Sequence, residues 1–482
     1  MTRTAGRMPI LRALAAALLW LAAAPLHAAP DLLPAPFSDA LARAGIAPEA
    51  SVAIVQEIGL SGADIRPRLI WQPDRPVNPA SLMKLLTTYA GLELLGPAWT
   101  WRTPVWLQGT VHDGVLDGNL VIKGSGDPKL VVERLWLMLR RVRQLGVREI
   151  RGDIVLDRSA FAVPPRSAAD FDGEALRPYN VLADALLLNF KSIVFTITPD
   201  PARGVARLAT DLPLAGVRID ASVPLVGGAC DDWRAALRAD FANPARVRFG
   251  GRYAASCGER TWAVAYSEPD RYNERALAGL WHDIGGRLTG RVRDGTAPAT
   301  PPSFESSSPP LAEVVRDINK YSNNVMAQQL FLTLGLTQRD SGTPDAAREV
   351  LRQWATERLG AQAAAGLTID NGSGLSRDAR VSARGLAQLL VAAWAGPVMP
   401  ELMSSLPVSG VDGTLQRPRA TVVHAHLKTG SLRDVAGVAG VVLANSGRRY
   451  VVVAIVNDPN APLARPALDA LLEWTAADAP AN

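Results

Sequence analysis

The sequence predicts an α/β (α+β) protein in which a sheet packed on helices is split by a large insertion, itself carrying a nested small β subdomain. Three observations predict it. Short strand-like runs near the N-terminus are matched by Val-rich runs near the C-terminus; the texture changes at Trp101 and again near Lys191; and helical patterns resume after about residue 310. The chain has 482 residues, 48% of them apolar, enough for several domains and a sizeable core.

Residues 1–28 read as a cleaved signal peptide, with Arg3, Arg7 and Arg12 ahead of the uncharged run Ala13–Ala24 and a small residue, Ala28, at the cleavage point. The run is too short to span a bilayer, and no Cys stands nearby to make a lipoprotein. The formal charge of +5 comes from 51 basic and 46 acidic residues; loss of the three Arg leaves 48 against 46. A nucleic-acid partner is therefore not indicated.

Val52–Gln56 and Arg68–Trp71 read as strands joined through a Gly/Asp turn, and Asn78-Pro79 opens a helix to about Leu95, with Asn78 as its cap. Thr103–Leu107, Leu120–Lys123 and Asp153–Leu156 alternate as strands around a helix at about Val131–Leu145. From Lys191 to Tyr266 turn signals recur every ten residues or so, as in a small β unit. Thr296–Pro310, rich in Pro and Ser, reads as a linker. Helices are expected at 311–318, 325–335, 343–358 and 382–395, then a strand His424–Lys428, a hairpin across Asn445-Ser446-Gly447, and a closing helix Pro466–Trp474. The expected division is 29–100 with 300–482, 101–190 with 267–299, and 191–266.

The two cysteines, Cys230 and Cys257, are a disulfide candidate in an exported chain, or else two buried thiols. With five His and no HExxH or CxxC pattern, no metal site is expected, and no motif asks for a cofactor. Lys is scarce: six occur against 45 Arg, so a Lys inside a motif is informative.

Three short motifs share a chemistry. Ser81-Leu82-Met83-Lys84 places a Lys amine one helical turn from a Ser hydroxyl, the spacing of a nucleophile and its general base. Ser322-Asn323-Asn324 sits on a turn between two helices, and Lys428-Thr429-Gly430-Ser431 ends a strand, where Gly430 admits a close approach to its edge.

In this order, SxxK, SxN and KTG resemble the penicillin-recognising active-site serine superfamily. Gly124-Ser125-Gly126-Asp127-Pro128 and Asp370-Asn371-Gly372-Ser373-Gly374-Leu375-Ser376-Arg377, with the long insertion, resemble more narrowly the class C low-molecular-mass penicillin-binding proteins, the D-alanyl-D-alanine carboxypeptidase/endopeptidase family.

The resemblance implies a penicillin-binding transpeptidase/β-lactamase-like fold with an antiparallel sheet. It implies Ser81 as nucleophile, Lys84 as base, and Ser322 as a proton relay bridging Lys84 and Lys428. Asn324 would hold the substrate amide, Lys428 and Thr429 the terminal carboxylate, and the Ser81 and Ser431 N–H groups the oxyanion. Asp172 and Arg377 would meet the amino and carboxyl groups of the peptide's diamino acid. Two positions depart from the pattern: Arg177 stands where relatives have an aromatic, and Arg433 where they have Gln. Arg433 adds a cation beside the carboxylate; Arg177 either does the same or pairs with Asp172. The implied partners are peptidoglycan stem peptides and β-lactams as covalent inhibitors, in the periplasm, with loose membrane association left open. A serine β-lactamase or esterase, or an inert peptidoglycan-binding scaffold, are the competing readings.

Overall fold

The computed structural model describes residues 32–59, 66–416 and 423–478; the expected signal segment and the turn joining the first two strands lie outside them. A five-stranded antiparallel sheet is built from both ends of the chain, in the order Ala425–Leu432, Val435–Leu443, Arg449–Asn457, Ser51–Glu57, Arg66–Trp71. Val and Ile dominate its inner strands because both faces are covered, which removes the polar alternation of a half-exposed sheet. Val452, Ala454 and Val456 pack with the helices Ala35–Arg43 and Arg465–Ala476, while Val451, Val453 and Ile455 turn the other way, toward the helical core.

At the centre of that core runs the helix Met83–Leu95, with every residue from Met83 to Leu92 buried. Apolar side chains all round a helix leave no solvent face, so the one Lys it carries is buried too. Around it lie Leu311–Lys320, Asn324–Arg339, Pro344–Leu359 and Ala383–Trp394, together with a short helix, Met399–Ser405, that the sequence reading does not anticipate.

Residues 102–307 hold a seven-stranded mixed sheet with the helices Val132–Gln144 and Pro269–Asp283. Two small sheets lie wholly within residues 192–265, and there Cys230 and Cys257 form a disulfide, Cα atoms 4.8 Å apart. The expected linker 296–310 differs: Phe304–Ser307 is an edge strand paired with Arg102–Val105, so the inserted sheet extends past residue 300. Proline clusters on either side of this four-residue strand hide it.

Candidate active site

Ser81 sits in a single 3-10 turn, Ala80–Leu82, that leads into the α-helix at Met83. The expected cap is corrected here: Asn78 Oδ1 accepts the Ala80 N–H at 2.9 Å, forming an Asx turn before the helix rather than its N-cap. Ala80 is left-handed, φ +47°, a conformation a non-glycine residue holds only when its surroundings impose it. Gly374, φ +78°, supplies part of that constraint: a Cβ there would stand 1.8 Å from the Ala80 carbonyl oxygen. Gly430 has the same purpose on the KTG strand, since a Cβ would stand 2.7 Å from the Pro79 carbonyl. Two glycines thus let a loop and a strand close on the turn that presents Ser81.

Lys84, fully buried, reaches three oxygens: Ser81 Oγ at 2.9 Å, Asn324 Oδ1 at 2.6 Å and the Ser373 carbonyl at 2.7 Å. The last two can only accept, so they take two N–H donors. A neutral amine then has its lone pair left for the Ser81 proton. Burial lowers the Lys84 pKa well below the usual ammonium range, and the positive charge of Lys428 lowers it further.

Lys428 is also fully buried, and burial pushes it down to about 7. Its Nζ donates to Ser322 Oγ at 2.9 Å and to the Thr429 carbonyl at 2.7 Å. The expected Ser322 bridge is therefore only half made: Ser322 meets Lys428, whereas the Lys84 donors are all engaged elsewhere. Ser322 is itself left-handed, φ +54°, which turns its hydroxyl toward Lys428 between two helices.

A cleft of about 600 Å³ opens over Ser81, lined by Asn324, Gly374, Leu375, Ser431, Leu432 and Arg433. Ser431 belongs to the edge strand of the five-stranded sheet; residues 407–409 pair with the outer rim at Ala425–Leu427, and among the described residues the rim from Lys428 to Leu432 has no backbone partner, so an extended ligand can pair there. A larger hollow of about 810 Å³ lies under residues 161–168, but none of the three motifs reaches it.

Phe171, Asp172, Tyr179 and Arg377 line the same cleft as Ser81. Asp172 accepts from Tyr179 Oη at 2.9 Å, Asn180 Nδ2 at 2.7 Å and the Glu174 N–H at 3.0 Å. Partial burial raises its pKa, but these bonds and the Arg377 charge outweigh that and hold it below the usual carboxylate value. Arg377 stacks on Phe171, 4.5 Å from the ring centroid, and pairs with Asp434 at 3.2 Å. Arg177 pairs with Glu174 at 3.3 Å, not with Asp172. Arg433 is exposed and forms no ion pair among the described residues. Tyr179 and the Ser373 carbonyl were not anticipated as site groups; Tyr179 both holds Asp172 and accepts Asn324 Nδ2 on its carbonyl at 3.1 Å.

Among the described residues there is no cluster of three or more metal-ligating side chains, and no helix is long and apolar enough to cross a membrane.

Residues 39–477 match the model of the D-Ala-D-Ala carboxypeptidase 3 (S13) family. A D-alanyl-D-alanine carboxypeptidase of Actinomadura sp. (strain R39) is 29% identical over 407 residues, 80% of this chain and 74% of that protein. D-alanyl-D-alanine carboxypeptidase DacB of Haemophilus influenzae is 22% identical over 392 residues, 78% of this chain and 80% of its own. The crystal structure of penicillin-binding protein 4 (dacB) from Haemophilus influenzae superposes with a TM-score of 0.69 at 21% identity, covering 91% of this chain and 99% of that one, a likeness of fold.

Proposed function

Because the chain belongs to the D-Ala-D-Ala carboxypeptidase 3 (S13) family, we propose that it is an exported serine D-Ala-D-Ala carboxypeptidase and/or D,D-endopeptidase that works on peptidoglycan stem peptides through a Ser81 acyl-enzyme. The observation that carries this reading is the fully buried Lys84 amine 2.9 Å from Ser81 Oγ, its other contacts being two carbonyl oxygens.

Ser81 Oγ attacks the carbonyl of the penultimate D-Ala while Lys84 accepts its proton. The C–O bond to Ser81 forms, the C–N bond breaks, and the leaving nitrogen takes a proton from the Lys428–Ser322 pair. Backbone N–H groups of Ser81 and Ser431 receive the developing oxyanion; one such donor is worth roughly 10²–10³ in rate. Lys428 and Thr429 bind the terminal carboxylate, a charge β-lactams share, and Asn324 lies beside the substrate amide. Water then hydrolyses the ester: its hydroxyl joins the acyl carbon, its other proton returns to the Lys428–Ser322 pair, and Lys84 gives back the first proton to Ser81 Oγ as the C–O bond breaks. Asp172, held ionised, suits the side-chain amino group of a diamino acid, with Arg377 and Arg433 for its carboxylate.

In the same reading 29–100 with 308–482 form the catalytic domain, the boundary lying beyond the inserted edge strand Phe304–Ser307, 191–266 is a nested subdomain of the insertion, and residues 1–28 direct the chain to the periplasm. Incubation with purified muropeptides, followed by mass spectrometry, tests the activity. Loss of one D-Ala marks the carboxypeptidase and conversion of crosslinked dimers to monomers the endopeptidase. Neither product, with fast β-lactam turnover instead, contradicts the proposal in favour of a β-lactamase.

A further inference from the structure

Thr414 lies outside all three motifs, in the stretch after the helix Met399–Ser405, yet its hydroxyl is 2.8 Å from that of Thr429. Thr429 shares a strand face with Ser431, which walls the cleft, because residues two apart on a strand point the same way. Each hydroxyl has one proton, and the bond between them uses one. The pair therefore offers one proton to a ligand, whichever residue donates to the other.

The loop that brings Thr414 there is pinned at several points. Asp412 Oδ2 meets the buried Lys320 ammonium at 2.6 Å, and Asp412 Oδ1 accepts the Val408 N–H at 2.8 Å. Gly413, φ +56°, packs so closely on the Lys320 carbonyl that a Cβ would stand 2.4 Å from it. Lys320 lies two residues before Ser322, the partner of Lys428. One short loop thus joins the turn that fixes the Lys428 ammonium to the hydroxyl beside it. Lys428 holds the Thr429 carbonyl, and Thr414 holds the Thr429 side chain.

We propose that Thr414 is a positioning residue for carboxylate recognition: by orienting the Thr429 hydroxyl it sets how strongly the site prefers a peptide with a free C-terminal carboxylate over one without. This rests on the reading of Lys428 and Thr429 as the carboxylate site. A hydrogen bond to a charged group is short and strong only when its donor is already aimed, so an unheld hydroxyl loses selectivity before it loses chemistry.

The test measures kcat/KM for a peptide ending in D-Ala-D-Ala and for the same peptide capped as its carboxamide. Thr414→Val is expected to lower the ratio of the two about tenfold, chiefly through KM of the free acid, and Thr414→Ser to restore it to within about twofold. A loop that merely collapsed would depress both substrates together and leave the ratio. If wild type releases D-alanine and is acylated by penicillin but the ratio does not move in Thr414→Val, this inference alone is overturned. If wild type does neither, the reading beneath it falls, and this inference with it.

Discussion

Asn324 Oδ1 lies 2.6 Å from Lys84 Nζ, nearer than the serine that the amine serves. A neutral amide at that distance can only accept, so it orients the amine without contributing a charge. Asn324→Asp would place a carboxylate there, favour the ammonium, and raise the Lys84 pKa. The acid limb of the kcat/KM profile should move up by at least one unit, so that on that limb the rate falls about tenfold. Penicillin acylation rates across pH 5–9 check it; an unshifted limb would show that Lys84 is not the base.

The two buried lysines must act in opposite charge states. Lys84 has to be neutral to take a proton, and Lys428 has to be charged to bind a carboxylate. Since Lys84 also feels the Lys428 charge, it deprotonates first as pH rises. The rate should climb on the acid side through the Lys84 titration, then fall as Lys428 loses its proton at about 7. In kcat alone the alkaline limb should shift upward, because a bound carboxylate favours the Lys428 ammonium. A kcat/KM that does not fall between pH 6 and 9 would contradict the Lys428 assignment.

Gly374→Ala should cost about 3 kcal/mol and most of the activity, since its Cβ would collide with the Ala80 carbonyl at a left-handed φ. Gly173, φ +83° with nothing within 4 Å, provides the control: Gly173→Ala carries only the conformational penalty, about 1 kcal/mol. Thermal unfolding of the two variants separates collision from backbone preference. Equal losses would mean that the close approach of Gly374 to the Ser81 turn is unimportant.

In the cleft over Ser81, Asp172→Asn removes the charge but can keep hydrogen-bonding partners around it. Peptides with a free side-chain amine should lose about tenfold in kcat/KM, while peptides acetylated on that amine stay within about twofold. Parallel assays on the two peptides decide it. An equal loss on both would assign Asp172 to holding the Tyr179–Asn180 loop.

Much of this site was legible because Ser81, Lys84 and Lys428 are side chains at fixed spacing on long, strongly patterned elements. What escaped has physical reasons. The third partner of Lys84 is the Ser373 main-chain carbonyl, which no residue type encodes. Tyr179, two positions after Arg177, lines the cleft because its hydroxyl binds Asp172 and its carbonyl binds Asn324, contacts that the spacing of the motifs does not encode. Ser322 reaches only one lysine because that depends on how many donors Lys84 has left, a count that needs coordinates. In the fold, Phe304–Ser307 is too short and too hemmed by proline to show a period. The helix Pro269–Asp283, by contrast, does carry one in Tyr272, Ala276, Leu277 and Leu280.

The most direct test is where penicillin attaches. Intact-mass measurement and peptide mapping after incubation should find one whole penicillin bound covalently to the peptide containing Ser81. Ser81→Ala should carry none, although its unfolding curve superimposes on wild type. An adduct on another residue, or labelling that survives in Ser81→Ala, would contradict the assignment on which the mechanism stands.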